Sequence, residues 1–373
     1  MSALLDILDP DRRPDFELPF SIISGTSAGA INAASLASHA HQVHRGLYRL
    51  TKLWSGLETN RVYRADAPGL TLTGLRWLAM LSLGWLIPAL RGSQPRSLLD
   101  NSPLRALLKQ TVNFDQIHRN ITQGQLKALA ITAAAYNTGE HLTFYQSRTP
   151  IKPWTRSSRI AVPGTIGVDH LMASSAIPFI FPAQPLLVRG HTHWCGDGSM
   201  RQLAPLSPAI HLGAERIVVI STAFNDDTHP DQGRVDPDYP SLAQIGGHAL
   251  SNIFIDGLSM DVERMSRIND LLEALPSGAR QHDGLRQVHS LVISPSRSLD
   301  DLAMHYLYEL PAAARTLFRV LGVSSRSGST TGGALVSYLL FEAQYTRELI
   351  RLGRTDTLSR LDEVMAFFKE SPA

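Results

Sequence analysis

Short apolar runs alternate with helix-length amphipathic stretches along the first two-thirds of the chain. Residues 20–24, 126–133, 142–146 and 216–222 read as strands. Several are apolar throughout, which predicts burial on both faces of a parallel sheet. Helical spacing fills 30–55, a stretch within 70–91, and 102–111. Alternating strand and helix predicts a layered α/β fold. Residues 225–240, rich in Asp, Pro, Gly and His, read as an exposed loop. Beyond it, helical patterns cover 242–275, 299–321, 334–352 and 357–369, with one strand-like segment at 289–294. Residues 324–333 have linker composition, and no Gly-Lys-Ser/Thr follows them to make a phosphate loop.

The most apolar stretch, Leu70–Leu90, is uncharged from Trp77 onward but broken by Gly84 and Pro88. Three readings compete: a buried helix, an interfacial lid and a membrane span. About 20 unbroken apolar residues are needed to span a bilayer, so the buried helix leads. Trp77, Trp85, Arg76 and Arg91 support the lid. The segment is expected to line or cover a binding site and to make peripheral membrane contact.

Composition narrows the function classes. The 373 residues are 43% hydrophobic and 18% charged, with a net charge of +2 and no Lys/Arg block, so nucleic acid is not an expected partner. Cys195 is the only cysteine, which excludes an intrachain disulfide and a cysteine-based metal site. Met1–Leu8 followed by Asp9-Pro10 does not read as a signal peptide, and the expected location is cytoplasmic, either free or peripheral at the membrane, with a targeting signal ahead of Met1 left open.

The candidate chemistry centres on Ser27. It lies in Gly25-Thr26-Ser27-Ala28-Gly29, between a predicted strand and a small-residue helix. Strand, Gly-x-Ser-x-Gly and helix describe a nucleophile elbow. Small residues two before and two after the serine let strand and helix pass closely. The helix N-terminus, with the Ala28 amide first, aims free N–H groups at a developing oxyanion. A serine needs a base, and Asp197 in Cys195-Gly196-Asp197-Gly198-Ser199 is the candidate. Its flanking glycines allow a tight loop that pushes the carboxylate outward; an ordinary Asp-Gly hairpin turn is the competing reading. His191 with His193, and His41 with His44, share faces, but neither pair has a third ligand at a recognisable spacing. Neither a metal nor an organic cofactor is implied.

Ala173-Ser174-Ser175-Ala176-Ile177-Pro178-Phe179-Ile180-Phe181-Pro182 lies upstream of Asp197. The serine elbow, this run and the glycine-flanked Asp-Gly, in this order, resemble the patatin-like phospholipase family. Helix 242–275, Val292–Ser296 and Ser337–Glu342 are similar to the extension of its bacterial members. The resemblance implies a three-layer α/β/α domain over residues 1–225, with a mostly helical extension, 226–373, packed on it. It implies a serine lipid acyl hydrolase, acting on phospholipid, lysophospholipid or another acyl ester. Ser27 would be the nucleophile and Asp197 the proton acceptor, in a dyad without histidine. Ser199 stands where the family usually has Gly or Ala.

The family's opening strand and glycine-rich oxyanion loop do not precede Ser27, so the other oxyanion donors are missing from this sequence. The expectation is a start inside the domain, with Met1–Leu8 the last turns of the helix that follows the loop. The activity of a chain starting at Met1 is in doubt on that ground. Two rivals remain. One is a non-catalytic lipid- or membrane-binding protein on the same fold. The other is a Ser-His-Asp hydrolase using Ser27, Asp197 and a later histidine such as His248 or His289, none of which has a distinctive flank.

Overall fold

The computed structural model describes residues 1–65, 97–200, 202–224, 245, 257–275, 285–320, 323 and 332–369. Its sheet is organised on β2 (Ala128–Ala135), whose sequence ALAITAAA carries no charge and is buried at seven of eight positions. Leu129 and Ile131 face one cluster of buried side chains, Ala128 and Ala130 another. A strand covered on both sides has no polar alternation to display.

One edge of β2 pairs antiparallel with β3 (His141–Ser147). Parallel to β3 runs β5 (Arg159–Pro163), edged by the two-residue β4 (Thr155–Arg156). The other edge of β2 is divided. β1 (Ile22–Thr26) runs parallel to it, from Ile22 opposite Ala128 to Thr26 opposite Thr132. β7 (His191–Asp197) runs antiparallel, from Asp197 opposite Ala133 to Cys195 opposite Ala135. β6 (Gln184–Val188) then pairs with β7 through the turn at Gly190. β1 and β7 therefore approach head-on, and their C-terminal ends face adjacent residues of β2.

The sheet is mixed, not parallel as the apolar runs suggested. Short connections explain the difference: β2–β3 and β6–β7 are hairpins, and a hairpin forces antiparallel pairing. β1 and β2 also begin two residues later than the apolar runs do. Lys127 and Ala128 N–H groups both reach the Ser21 carbonyl, so the ladder starts beyond it.

The elements α1 (Ser2–Leu8), α2 (Ala28–Ser38), α3 (Val43–Ser55), α4 (Thr59–Val62), α5 (Ser102–Thr111), α6 (Phe114–Gln123), α7 (Val168–Ser174) and α8 (Ser207–His211) flank the sheet. The predicted helix 30–55 is broken in two. Ser38 Oγ and His39 Nδ1 both turn back to the Ser35 carbonyl, at 2.9 and 3.0 Å, and Gln42 N–H closes the bend on His39 O. Side chains that bond their own backbone compete with helix continuation. Gly25 is fixed by close approach: a Cβ there would lie 2.2 Å from the Gly29 carbonyl oxygen. Gly29 has open space around its Cα, so the two glycines of the elbow are not equivalent.

Towards the C-terminus, β8 (Arg216–Ile220) and β9 (His289–Ile293) form a separate parallel pair. Helices α9 (Leu258–Ala274), α10 (Leu299–His305), α11 (Ala312–Val320), α12 (Gly333–Leu339), α13 (Ala343–Leu358) and α14 (Leu361–Lys369) complete the described chain. The predicted helix 299–321 is interrupted ahead of Pro311, which cannot continue it. Ala30 and Ala34 of α2, Leu129 and Ile131 of β2, and Leu302, Val336 and Leu352 of the C-terminal helices share one buried cluster. Leu4 of α1 packs with Leu291, Ile293 and Val364, and Leu5 with Val43 and Leu47. Among the described residues no helix is long and apolar enough to cross a membrane. The Leu70–Leu90 reading, the 225–240 loop, most of the 324–333 linker and the start of 242–275 lie outside the described residues.

Gly25→Ala is expected to lower stability by about 3 kcal/mol or more, because backbone must move. Gly29→Ala should change it by less than about 1 kcal/mol. Urea denaturation of both variants measures the contrast.

Candidate active site

Ser27 leaves β1 and caps α2 with φ 54° and ψ −128°. This left-handed conformation costs a non-glycine residue about 1–3 kcal/mol and persists only where neighbours enforce it. The enforcement comes from one three-residue segment. Ser27 N–H donates to Ser174 Oγ at 2.9 Å, and Ser174 Oγ donates onward to the Thr132 carbonyl at 2.6 Å. Ser175 Oγ donates to the Ser27 carbonyl at 3.2 Å, which also accepts Ala30 N–H at 2.9 Å. The Ala28 and Gly29 N–H groups, in the first turn of α2, have no intrahelical acceptor.

Asp197 arrives from the opposite direction as the last residue of β7. It is a strand end, not the tip of a glycine loop, because Asp197, Gly196 and Cys195 pair with Ala133, Ala134 and Ala135 of β2. Its backbone turns away there: Asp197 N–H donates to the Ala176 carbonyl at 2.9 Å, and Gly198 N–H to the Ser174 carbonyl at 3.3 Å. Gly198 has no room for a side chain, since a Cβ would lie 2.1 Å from the Thr132 carbonyl oxygen. Residues 174–176 therefore hold both Ser27 and Asp197.

The two side chains meet directly. Ser27 Oγ donates to Asp197 Oδ2 at 2.6 Å. The other carboxylate oxygen, Oδ1, accepts Ser199 N–H at 2.8 Å. Asp197 is 1% exposed, and this burial pushes its pKa up to about 6 against the opposing pull of Ser27 and Ser199. A buried carboxylate with few donors is a stronger base than a solvated one. Cys195, two residues earlier, is buried with its thiol pushed up to about 12, so it stays protonated.

A histidine unmarked in the sequence supports the site from behind. His141, at the start of β3, reaches the Gly198 carbonyl with Nε2 at 2.7 Å, and burial lowers its pKa. A neutral imidazole donating to that carbonyl fixes the turn after Asp197. Nothing in the local sequence of His141 set it apart from 13 other histidines, because its partner is 57 residues away. Of the histidines named for a triad, His289 lies exposed in β9 and His248 is outside the described residues. His44 binds the buried carboxylate of Asp9 at 2.7 Å. Among the described residues no three His, Cys, Asp or Glu side chains gather as a metal site.

The paired serines should be unequal. Ser174→Ala strips partners from the Ser27 N–H and the Thr132 carbonyl and is expected to cost about 1–3 kcal/mol. Ser175→Ala leaves the Ser27 carbonyl bonded to Ala30 and should cost less than about 1 kcal/mol. Denaturation midpoints of the two variants decide the order.

No curated protein matches the chain. A family model, patatin-like phospholipase, matches residues 2–210, a span that contains the elbow, the 173–182 run and Asp197. That span is more than half of the chain, and the sheet flanked by helices with a helical C-terminal region agrees with it: the chain belongs to the patatin-like phospholipase family, a family of lipid acyl hydrolases.

Proposed function

We propose that this protein hydrolyses acyl esters of lipids through a Ser27–Asp197 dyad. The observation that carries the reading is the direct 2.6 Å hydrogen bond from Ser27 Oγ to a carboxylate that is almost fully buried. In the acylation step Ser27 Oγ attacks the ester carbonyl carbon while its proton passes to Asp197 Oδ2. The tetrahedral intermediate collapses, the C–O bond to the alcohol breaks, and the alcohol takes the proton from Asp197. Water then attacks the acyl-enzyme, gives a proton to Asp197, and the fatty acid leaves as Ser27 recovers it. The Ala28 N–H is the proposed oxyanion donor. The substrate class is phospholipid or lysophospholipid, bound at a membrane surface.

A carboxylate is a weak base for a hydroxyl, so its environment decides the rate. Burial of Asp197 raises its basicity, and the strained Ser27 backbone fixes the attacking oxygen against it.

Ser27→Ala should abolish both fluorophosphonate labelling and hydrolysis of nitrophenyl esters. Labelling that persists in this variant refutes the nucleophile. A folded protein that retains lipid but shows neither activity is the lipid-binding reading instead. One histidine variant as inactive as Asp197→Asn would favour a triad.

The pH dependence follows from Asp197. Its ionised form is the base, so kcat/KM should rise with pH through about 6 and then level off. Stability runs the other way. The folded pKa of about 6 lies above the ordinary value of 3.8, so the folded state binds the proton more tightly. Stability should therefore fall as pH rises from about 4 to about 6, by about 3 kcal/mol in total. Asp197→Asn removes that loss. It is expected to be inactive yet to melt a few degrees above the parent protein at neutral pH, measured by calorimetry.

A further inference from the structure

A cavity of about 730 Å³ opens where four helix ends meet, at the far end of α2 from Ser27. The end of α2 supplies Ser38 and His39, α3 supplies Arg45 and Arg49, α5 supplies Lys109, and Asp115 lies in the first turn of α6. Three cations and one carboxylate leave a net charge of +2 with histidines neutral, equal to that of the whole chain. Among the described residues, none of the three cations has a carboxylate within ion-pair distance.

The cations are arranged against their own repulsion. Arg45 and Arg49 are four residues apart on one helix face, and α3 contains no Asp or Glu to separate them. Like charges at that spacing destabilise a helix. The wall behind them is finished with donors. The last turn of α2 would present carbonyl oxygens, but Ser38 Oγ and His39 Nδ1 cover Ser35 O, and Asn120 Nδ2 covers Ala37 O at 2.7 Å. With Nδ1 committed to a carbonyl, His39 carries its proton there. Nε2 then accepts an N–H from Arg49 at 3.2 Å, which orients the guanidinium without neutralising it. The first turn of α6 adds the positive end of a helix dipole.

We propose that this cavity is a second ligand site, distinct from the Ser27–Asp197 pair, that takes a phosphate-bearing anion. Two arginine forks and an ammonium match phosphate oxygens, and a dianion neutralises the local charge. The volume exceeds one phosphate and leaves room for the group that carries it. That group belongs either to a soluble phosphate compound or to the headgroup of an anionic lipid.

Two probes separate these sources: inorganic pyrophosphate in calorimetric titration, and vesicles of phosphatidylcholine with and without phosphatidic acid in sedimentation. Saturable pyrophosphate binding assigns a soluble compound; binding only to vesicles that contain phosphatidic acid assigns the headgroup. In either arm Arg45→Gln with Arg49→Gln should weaken binding at least about tenfold, and added salt should weaken it further. Asp115→Asn should tighten binding severalfold, which no loss of folding can imitate. All three side chains are exposed, so thermal midpoints should stay within a few degrees of the parent. Absence of binding in both arms, or equal binding by the double variant, overturns the proposal.

Discussion

Two strands cannot occupy the same stretch of a neighbour's edge, and at β2 two compete for one. β1 holds the edge as far as Thr132 and β7 holds it from Ala133 onward. Running head-on, each must leave the sheet where the other begins. At that boundary Ser27 has passed the end of the β1 ladder and Asp197 is the last paired residue of β7, and the N–H groups of both are taken by the 174–176 segment. The short Oγ–Oδ2 contact follows from this topology. A one-residue shift in the register of either strand would turn its side chains to the opposite face and separate the pair.

The arrangement concentrates unfavourable terms in a small volume. Ser27 sits at positive φ, and Asp197 is a carboxylate removed from water. Neither would persist in a mobile loop. Both lie at ends of strands paired to the most buried strand of the sheet, and α2 brings small alanines into a core shared with the C-terminal helices. Rigid surroundings hold side chains in geometries that their local preferences oppose.

What the sequence made legible was local. Gly25-Thr26-Ser27-Ala28-Gly29 announces a strand, a turn and a helix within one short window, and the structure has each of them. Helix 102–111 was legible for the same reason: Ser102-Pro103 starts it and its apolar spacing continues it. The rest depends on pairing across long separations. Nothing near Asp197 says that its strand borders β2 where β1 stops. Nothing near Ser174 says that its hydroxyl takes the amide of a residue 147 positions earlier. The 173–182 run stood out as a pattern, while its hydrogen-bonding role emerged only once the two strands were in place. The cationic cavity was illegible for the same cause, since Arg49 and Lys109 are neighbours only through helix packing.

One contact has consequences for how the chain acquires its fold. Leu4, near the start, is buried by Leu291 and Ile293 from β9 and by Val364 from the last described helix. Synthesis proceeds from the N-terminus, so α1 emerges long before the side chains that cover it. Leu5 can be covered early by Val43 and Leu47, but the side of α1 that carries Leu4 stays exposed until α14 has left the ribosome. This cluster closes only once Val364 has emerged, 360 residues after Leu4, and such long-range closure is slow relative to local helix formation. The interval in which α1 waits for α14 is the time when the nascent chain is most open to aggregation and chaperone capture.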